Sequence, residues 1–559
     1  MYRDELHTLL AVAATDAGYT ASRIPLEHPV EVDRGDFASS VALVIAAETK
    51  EPAQTIAEAI VSAIDRPSWI DRIEVAGPGF INVFLSRTCV RDSIRSILAA
   101  GGRWGMHETL QGTRVLIEHT QPNPFKPFHI GHLMSNTIGE SIARLYEFSG
   151  ADVRRANYQG DVGLHVAKCL WGLTRTGGRP DSVADLGAAY VAGNHAYEEG
   201  GEEEKRAIVS FNRMVYERAA EIEEVYRTGR EVSLAHFEEL YRLLGTKFDY
   251  YFFESDSQVP GRVLVKEGLA LGVFRESDGA IVFVGEEQGL HTRVFLTREG
   301  LPTYEAKELG LAQLKSEKWP FDISITTTAI EQVEYFKVVF AVLALLRPEL
   351  ASKLRHVPHG MMVLTDGKMS SRKGNVVTGE SLIRDTCALA AEKVADRDLT
   401  REEKERIAED VAVAAIKFSV LKQKVGKNIV FDPTAALSFE GDSGPYLQYA
   451  HMRAVSILDR ARVAGVMLAT DLAPAAASPL ERLLYRFPDV VVRARESHEP
   501  HHITTYLITL AAAWNSWYAT EKVLDGSLTA PYKLAVVDAF RVTMQNGLYL
   551  LGMRAPERM

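Results

Sequence analysis

Arg114-Val115-Leu116-Ile117-Glu118 opens the stretch that decides the fold. A loop with prolines at 122, 124 and 127 follows, then Phe128-His129-Ile130-Gly131-His132. Beyond it Ile138, Ile142 and Leu145 recur at helical spacing until Gly150. The short apolar run fits a strand buried in a parallel sheet. Apolar residues three and four apart predict one buried face of a helix. Strand, loop and helix in this order are the first unit of a doubly wound α/β sheet, here with further segments inserted.

Upstream, residues 1–100 read as a small α+β domain. Helices are expected over Leu6–Ala17, Ser39–Glu48 and Pro52–Ile64. Two strands, residues 73–76 and 80–84, flank the turn Gly77-Pro78-Gly79, and Gly101-Gly102 marks a boundary. Downstream, the α/β domain is expected to run over residues 110–400. An insertion at about 170–285 carries a glycine-rich loop near Gly177, an acidic patch and charged helices. Strands are expected near residues 279–285, 292–296 and 321–328. Residues 401–559 read as a helical domain.

Composition narrows the function classes. The chain has 559 residues, 46% hydrophobic and 25% charged, as in ordinary globular protein. Its longest apolar run, Val338 to Leu346, is far short of the roughly 20 residues that cross a bilayer. Met1-Tyr2-Arg3-Asp4-Glu5 lacks a signal-peptide pattern, so a cytoplasmic protein is expected. Cys89, Cys169 and Cys387 form no CxxC pair, which excludes a zinc ribbon and argues against a disulfide framework. The net charge of −11 argues against nonspecific coating of nucleic acid. From Pro445 onward, however, 12 Lys and Arg stand against 10 Asp and Glu.

Two motifs carry chemistry. In His129-Ile130-Gly131-His132 the imidazoles can donate to phosphate oxygens, and the helix start adds free N–H groups. Glycine lets a nucleotide base lie against the backbone. Alone, the pattern also reads as a chance turn or a metal-binding pair. Gly367-Lys368-Met369-Ser370-Ser371-Arg372-Lys373-Gly374 is a glycine-flanked basic loop suited to a polyphosphate whose charge grows in a transition state. Alone, it also reads as a solvated basic turn.

Together and in this order, the two resemble the signature motifs of class I aminoacyl-tRNA synthetases. Further segments resemble the arginyl-tRNA synthetase family: Glu118-His119-Thr120-Gln121-Pro122-Asn123, Asn157-Tyr158-Gln159-Gly160-Asp161-Val162-Gly163, Thr303-Tyr304-Glu305-Ala306-Lys307-Glu308, and Gln332. So do Tyr446 to Arg453, the C-terminal residues 550–559, Gly35-Asp36-Phe37 and Gly77 to Asn82. Some positions depart from the family. Glu308 stands for an aspartate, Ser371 for the second lysine, Gln121 for a serine, Ser40 for an asparagine and His165 for a glutamine.

The resemblance implies a Rossmann-like catalytic domain that activates L-arginine with ATP and transfers it to tRNA(Arg), with tRNA required for the first step. It implies His129, Gly131, His132, Lys368, Met369 and Arg372 around ATP, with His129, His132, Lys368 and Ser370 as the catalytic set. Glu118, Asn123, Tyr304, Glu308 and Gln332 are implied to hold arginine. This set also suits the chemistry, since a guanidinium needs carboxylates for its fork of donors and a flat surface for its plane. Residues 1–100 and the helical domain should contact tRNA, the latter through Tyr449, Arg453, Trp517 and Tyr518, with Trp514 a further aromatic for base stacking. Mg²⁺ should accompany ATP, bound through its phosphates and water, and no protein-held metal site is expected. The enzyme is expected to act as a monomer, with no membrane partner. Rival readings are a small nucleotidyltransferase, a synthetase-like protein without catalysis, and another class I specificity. Arginine- and tRNA-dependent pyrophosphate exchange separates them.

Overall fold

The computed structural model describes residues 2–364 and 378–558. It divides into two compact units that do not follow chain order.

The larger unit comprises Met106–Tyr449, Val491–Thr505 and Gly547–Met559. It is built on an all-parallel five-stranded sheet: β1 (Arg114–Glu118), β2 (Asp152–Gln159), β3 (Tyr250–Phe253), β4 (Ile323–Ala329) and β5 (Leu354–His359). The spatial order is β5-β4-β1-β2-β3. The chain steps outward from β1 to β2 and β3, then crosses back to lay β4 on the other side of β1. That reversal opens a crevice beyond the carboxyl ends of β1 and β4, where ligands bind in such sheets. The register pairs Glu118 with Thr326 across it.

Burial explains why β1 reads as a continuous apolar run. Val115, Leu116 and Ile117 are all fully buried, so both faces of the strand are covered. Leu116 joins a core with Leu309, Leu311, Val338 and Leu343 from helices Tyr304–Lys318 and Val333–Leu346. Helix Ile130–Phe148 follows the His129 loop, and its Gly139 sits against the loop itself. A Cβ there would lie 2.3 Å from His119 Cβ. Gly139→Ala should therefore cost about 1–3 kcal/mol through overpacking. Calorimetric melting should show a lowered midpoint, and an unchanged one would mean that the helix can move away from β1 freely.

The strands expected near 279–285, 292–296 and 321–328 are present as Ala280–Phe283, Arg293–Leu296 and β4. The first two join Arg275–Ser277 in a separate antiparallel sheet. The insertion read at 170–285 needs correction at its end. Its first part is helical, but Tyr250–Phe253 is the edge strand of the main sheet and Glu254 begins the helix that follows it. Four aromatics without alternation carry no periodic signal, and pairing on one side only lets a short strand suffice.

The last residues of the chain belong to this unit. Ser141 Oγ donates to Leu550 O at 2.8 Å. Lys417, wholly buried, donates to Leu244 O at 2.6 Å and Gly552 O at 3.0 Å, and burial pushes its ammonium down to about 7. A cut near residue 440 would remove Leu550 and Gly552, so this unit does not end with the α/β pattern.

The smaller unit comprises Met1–Gly105, Ala450–Val490 and Tyr506–Asn546. Its antiparallel sheet has the order Leu26–Glu27, Phe37–Ser39, Phe80–Leu85, Ile70–Ala76. Helices Tyr2–Asp16, Val41–Thr49 and Ala53–Ala63 supply Leu6, Leu10, Ile45, Ile56 and Ile60 to one core with Ile81 and Val83. Asp36 is fully buried, accepting from the Leu85 N–H at 2.6 Å and the Tyr485 hydroxyl at 3.0 Å, and it pairs with Arg482. The Gly35-Asp36-Phe37 motif therefore works inside the fold, through Asp36, as a joint between two segments of this unit.

Candidate active site

A cavity of about 550 Å³ occupies the crevice beyond β1 and β4. Glu118, Asn123, His129, Gly131, His132, Tyr304, Glu308 and Gln332 all line it. The residues assigned from sequence to arginine thus share one cavity with the histidine motif, although they are spread over more than 200 positions.

His129 caps helix Ile130–Phe148. Its Nδ1 accepts from the His132 N–H at 3.3 Å, and His132 Nδ1 accepts from the His129 N–H at 3.2 Å. With both Nδ1 atoms accepting, the proton of each neutral ring lies on Nε2, which becomes the free donor. The rings stack with centroids 3.4 Å apart. Burial, then the charge of Lys126, pushes His129 down to about 4. Burial, then His129, holds His132 well below its usual range. Two neutral donors result. Gly131 has a structural reason of its own, since a Cβ there would lie 3.0 Å from the His129 ring. With each Nδ1 accepting and each Nε2 protonated, neither neutral ring keeps a free lone pair for a metal.

The carboxylates are in unequal states. Glu118 accepts from Lys315 Nζ at 2.7 Å through one oxygen and from Gln121 Nε2 at 2.7 Å through the other. Glu254 pairs with Lys307 at 2.6 Å, both nearly buried. Glu308 is 7% exposed and has no ion pair among the described residues, only a long 3.4 Å contact from the Tyr335 hydroxyl. Burial, then the charge of Glu118, pushes it up to about 8. Of the five carboxylates that line the cavity, Glu118 and Glu254 are paired with lysines, Glu305 lies 3.5 Å from Arg293 and Glu331 is exposed, so Glu308 is the buried one without an ion pair among the described residues.

Other residues fix the walls. Asn123 Oδ1 accepts from the Gly160 N–H at 2.9 Å, and a Cβ on Gly160 would meet Asn123 and Glu254 at 2.9 Å. Asp161 accepts from Ser255 and pairs with Arg230 at 3.1 Å, which ties the Gly160-Asp161 turn to the start of the helix after β3. Thr120 and Gln121 have φ of 78° and 54°, a strained pair at the end of β1. Tyr304 and Gln332 are exposed at the rim.

Sequence reading missed Glu254, Lys307, Lys315 and Tyr335. Lys315 carried a usable signal, because it lies seven residues after Glu308, on the same side of one helix. Lys368, Met369, Ser370 and Arg372 lie outside the described residues.

The aromatics assigned to tRNA divide. Trp514 is fully buried, with its ring stacked 4.4 Å from Phe540, and this overturns its reading as a stacking platform. Arg453 lies over the Tyr518 ring at 4.7 Å, and Trp517 and Tyr518 are partly exposed. Tyr449 packs edge-on against Phe439.

Comparison with known proteins agrees with this geometry. Residues 93–433 match the family described as tRNA synthetases class I (R), catalytic domain. Residues 4–85 match the arginyl tRNA synthetase N terminal domain, and residues 447–559 the DALR anticodon binding domain. The chain is 32% identical to an arginine–tRNA ligase of Treponema pallidum, over 95% of this chain and 94% of that one. It is 29% identical to that of Halothermothrix orenii over the full length of both. The solved arginyl-tRNA synthetase of Thermus thermophilus superposes with a TM-score of 0.82, at 27% identity and full coverage of both chains. The chain belongs to the arginyl-tRNA synthetase family.

Proposed function

We propose that this cavity holds L-arginine beside ATP and that the chain is an arginine–tRNA ligase. One observation carries the reading: a buried, cation-less carboxylate, Glu308, shares a cavity with two neutral histidine donors at the switch point of the sheet. The guanidinium supplies the charge that Glu308 lacks. Glu118 adds a second acceptor and Tyr304 a flat surface. Asn123 and Gln332 face the α-amino end. The arginine carboxylate attacks the α-phosphorus of ATP, and pyrophosphate leaves. His129 and His132 donate Nε2–H to phosphate oxygens, and Lys368 adds charge as the transition state forms. Ser370, Met369 and Arg372, from the same stretch of sequence, complete the nucleotide contacts. A ribose hydroxyl at the 3′ end of tRNA(Arg) then attacks the adenylate, releasing AMP.

Mg²⁺ screens the phosphate charge when bound. The histidine pair offers it no carboxylate, which fits an ion carried in by ATP and water. Tyr449, Arg453, Trp517 and Tyr518 are the proposed tRNA contacts. The proposed domains are residues 1–100 for tRNA contact, 110–400 for catalysis and 401–559 for anticodon binding. The reading includes a monomer acting in the cytoplasm, and light scattering tests its oligomeric part. Among the described residues no helix is long and apolar enough to cross a membrane.

ATP–pyrophosphate exchange across the amino acids, with and without tRNA, tests the whole reading. Exchange should appear with arginine alone among them and should require tRNA. Lys368→Ala should slow exchange about a hundredfold with little change in arginine binding. An unchanged rate would remove Lys368 from the mechanism.

A further inference from the structure

The run His498-Glu499-Pro500-His501-His502 joins helix Phe487–Ser497 to helix His501–Thr520. Within it the two oxygens of Glu499 are divided. One faces Lys424 Nζ at 3.3 Å. The other, Oε2, lies 3.4 Å from His501 Nδ1 and 3.7 Å from His502 Nε2. The two imidazole centroids are 4.1 Å apart. The three potential ligand atoms all fall within 4.8 Å of one another. None of these approaches is a hydrogen bond, and His501 Nδ1 is buried with no hydrogen-bond partner among the described residues. A buried polar atom left in this way calls for a partner that protein does not supply. His498 is already engaged, through Nε2 and the Tyr146 hydroxyl at 2.8 Å.

We propose that Glu499 Oε2, His501 Nδ1 and His502 Nε2 form a site for a divalent transition-metal ion of the zinc class, with water in the fourth position. Ligand type excludes the hard cations, since two imidazoles and one carboxylate oxygen suit zinc, cobalt or nickel and not magnesium or calcium. Spacing agrees. Bonds of about 2.0–2.1 Å in a tetrahedral site put ligand atoms about 3.3 Å apart, close to the two distances from Glu499. The charges of Lys424 and Arg493 act on both histidines. They oppose an incoming ion, so the site should bind more weakly than a zinc-finger site. Lys424 can stay on the other oxygen of Glu499 while the ion takes Oε2. An ion here would clamp the turn around Pro500. The site is separate from the arginine and ATP cavity, which none of the three residues lines.

The test uses the full-length protein, stripped with a chelator and repurified, and titrated with Co²⁺ and then Zn²⁺. One saturable equivalent of Co²⁺ is expected, with visible d–d absorption that Zn²⁺ displaces. Zn²⁺ should raise the melting midpoint of the unmodified protein. His502→Ala and Glu499→Gln should each weaken this equivalent about a hundredfold or more, beyond the effect typical of residues that only orient ligands. Glu499→Gln is nearly isosteric, and it decides the question if His502→Ala does not fold. Absence of a saturable equivalent overturns the proposal. So does an equivalent that survives Glu499→Gln at full affinity, because the ion would then sit elsewhere.

Discussion

Glu308→Gln should lower arginine affinity by about 30-fold to several thousandfold and leave ATP binding nearly unchanged. A charge-assisted pair to a desolvated cation is worth about 2–5 kcal/mol when one partner is removed. Glu308 is the carboxylate to which this applies, because Glu118 is held by Lys315 and Glu254 by Lys307. Its acid–base state adds a second signature. The free site pushes Glu308 up to about 8, so at pH 7 the carboxyl is mostly protonated. A guanidinium favours the charged form, so arginine binding must expel a proton. Affinity should therefore rise with pH up to about 8 and level off above it. Calorimetry in buffers of different ionisation enthalpy should read proton release near pH 7 in the unmodified enzyme and none at this residue in Glu308→Gln. A threefold or smaller loss of affinity, with proton release intact, would return the guanidinium to Glu118.

The same shift sets a stability dependence of unusual sign for a carboxylate. The folded-state value lies above the ordinary 4.5, so the contribution of Glu308 to stability is fully present below about 4.5. It is lost as pH rises through about 8. Arginine should restore it, so the rise in melting midpoint on adding arginine should be larger at pH 8.5 than at pH 6.

His132→Ala should slow arginine activation at saturating ATP by about 100- to 1000-fold, the usual cost of one preorganised donor to a developing negative charge. Arginine affinity should not change, since no carboxylate of the guanidinium pocket touches this ring. Each imidazole accepts from the backbone N–H of the other residue, so each one orients the other. The two losses should consequently not add. A His129→Ala, His132→Ala double variant should be little slower than the worse single variant. Full additivity would show two independent donors and would remove the reciprocal cap from the account.

Legibility followed distance along the chain. β1, its loop and helix Ile130–Phe148 were readable because a buried strand and a one-faced helix each leave a local pattern. β2, β3 and β5 left none strong enough. β2 mixes Arg154 and Arg155 into its length, and these are partnered by Asp152, Glu140 and Glu147. β3 is four aromatics at a sheet edge. The reversal of strand order that creates the crevice is a fact of pairing between β1 and β4, which no local pattern encodes.

The site divides in the same way. Glu118, Asn123, His129, His132, Tyr304, Glu308 and Gln332 could be named because residue type and motif order mark them. What they become was decided in three dimensions. The sequence treats Glu118 and Glu308 as equivalent acids, and only packing gives Lys315 to one and leaves the other without a cation. It shows two histidines three apart, and only the helix start turns them into mutual caps with Nε2 free. It presents Trp514, Trp517 and Tyr518 alike, and burial removes Trp514 from any surface role. The sequence by itself determined the class of fold, the chemistry of the residue set and the family. The tertiary structure alone decided the charge state of each group, because charge depends on desolvation and on neighbours brought from distant segments, and neither has a local signature in the chain.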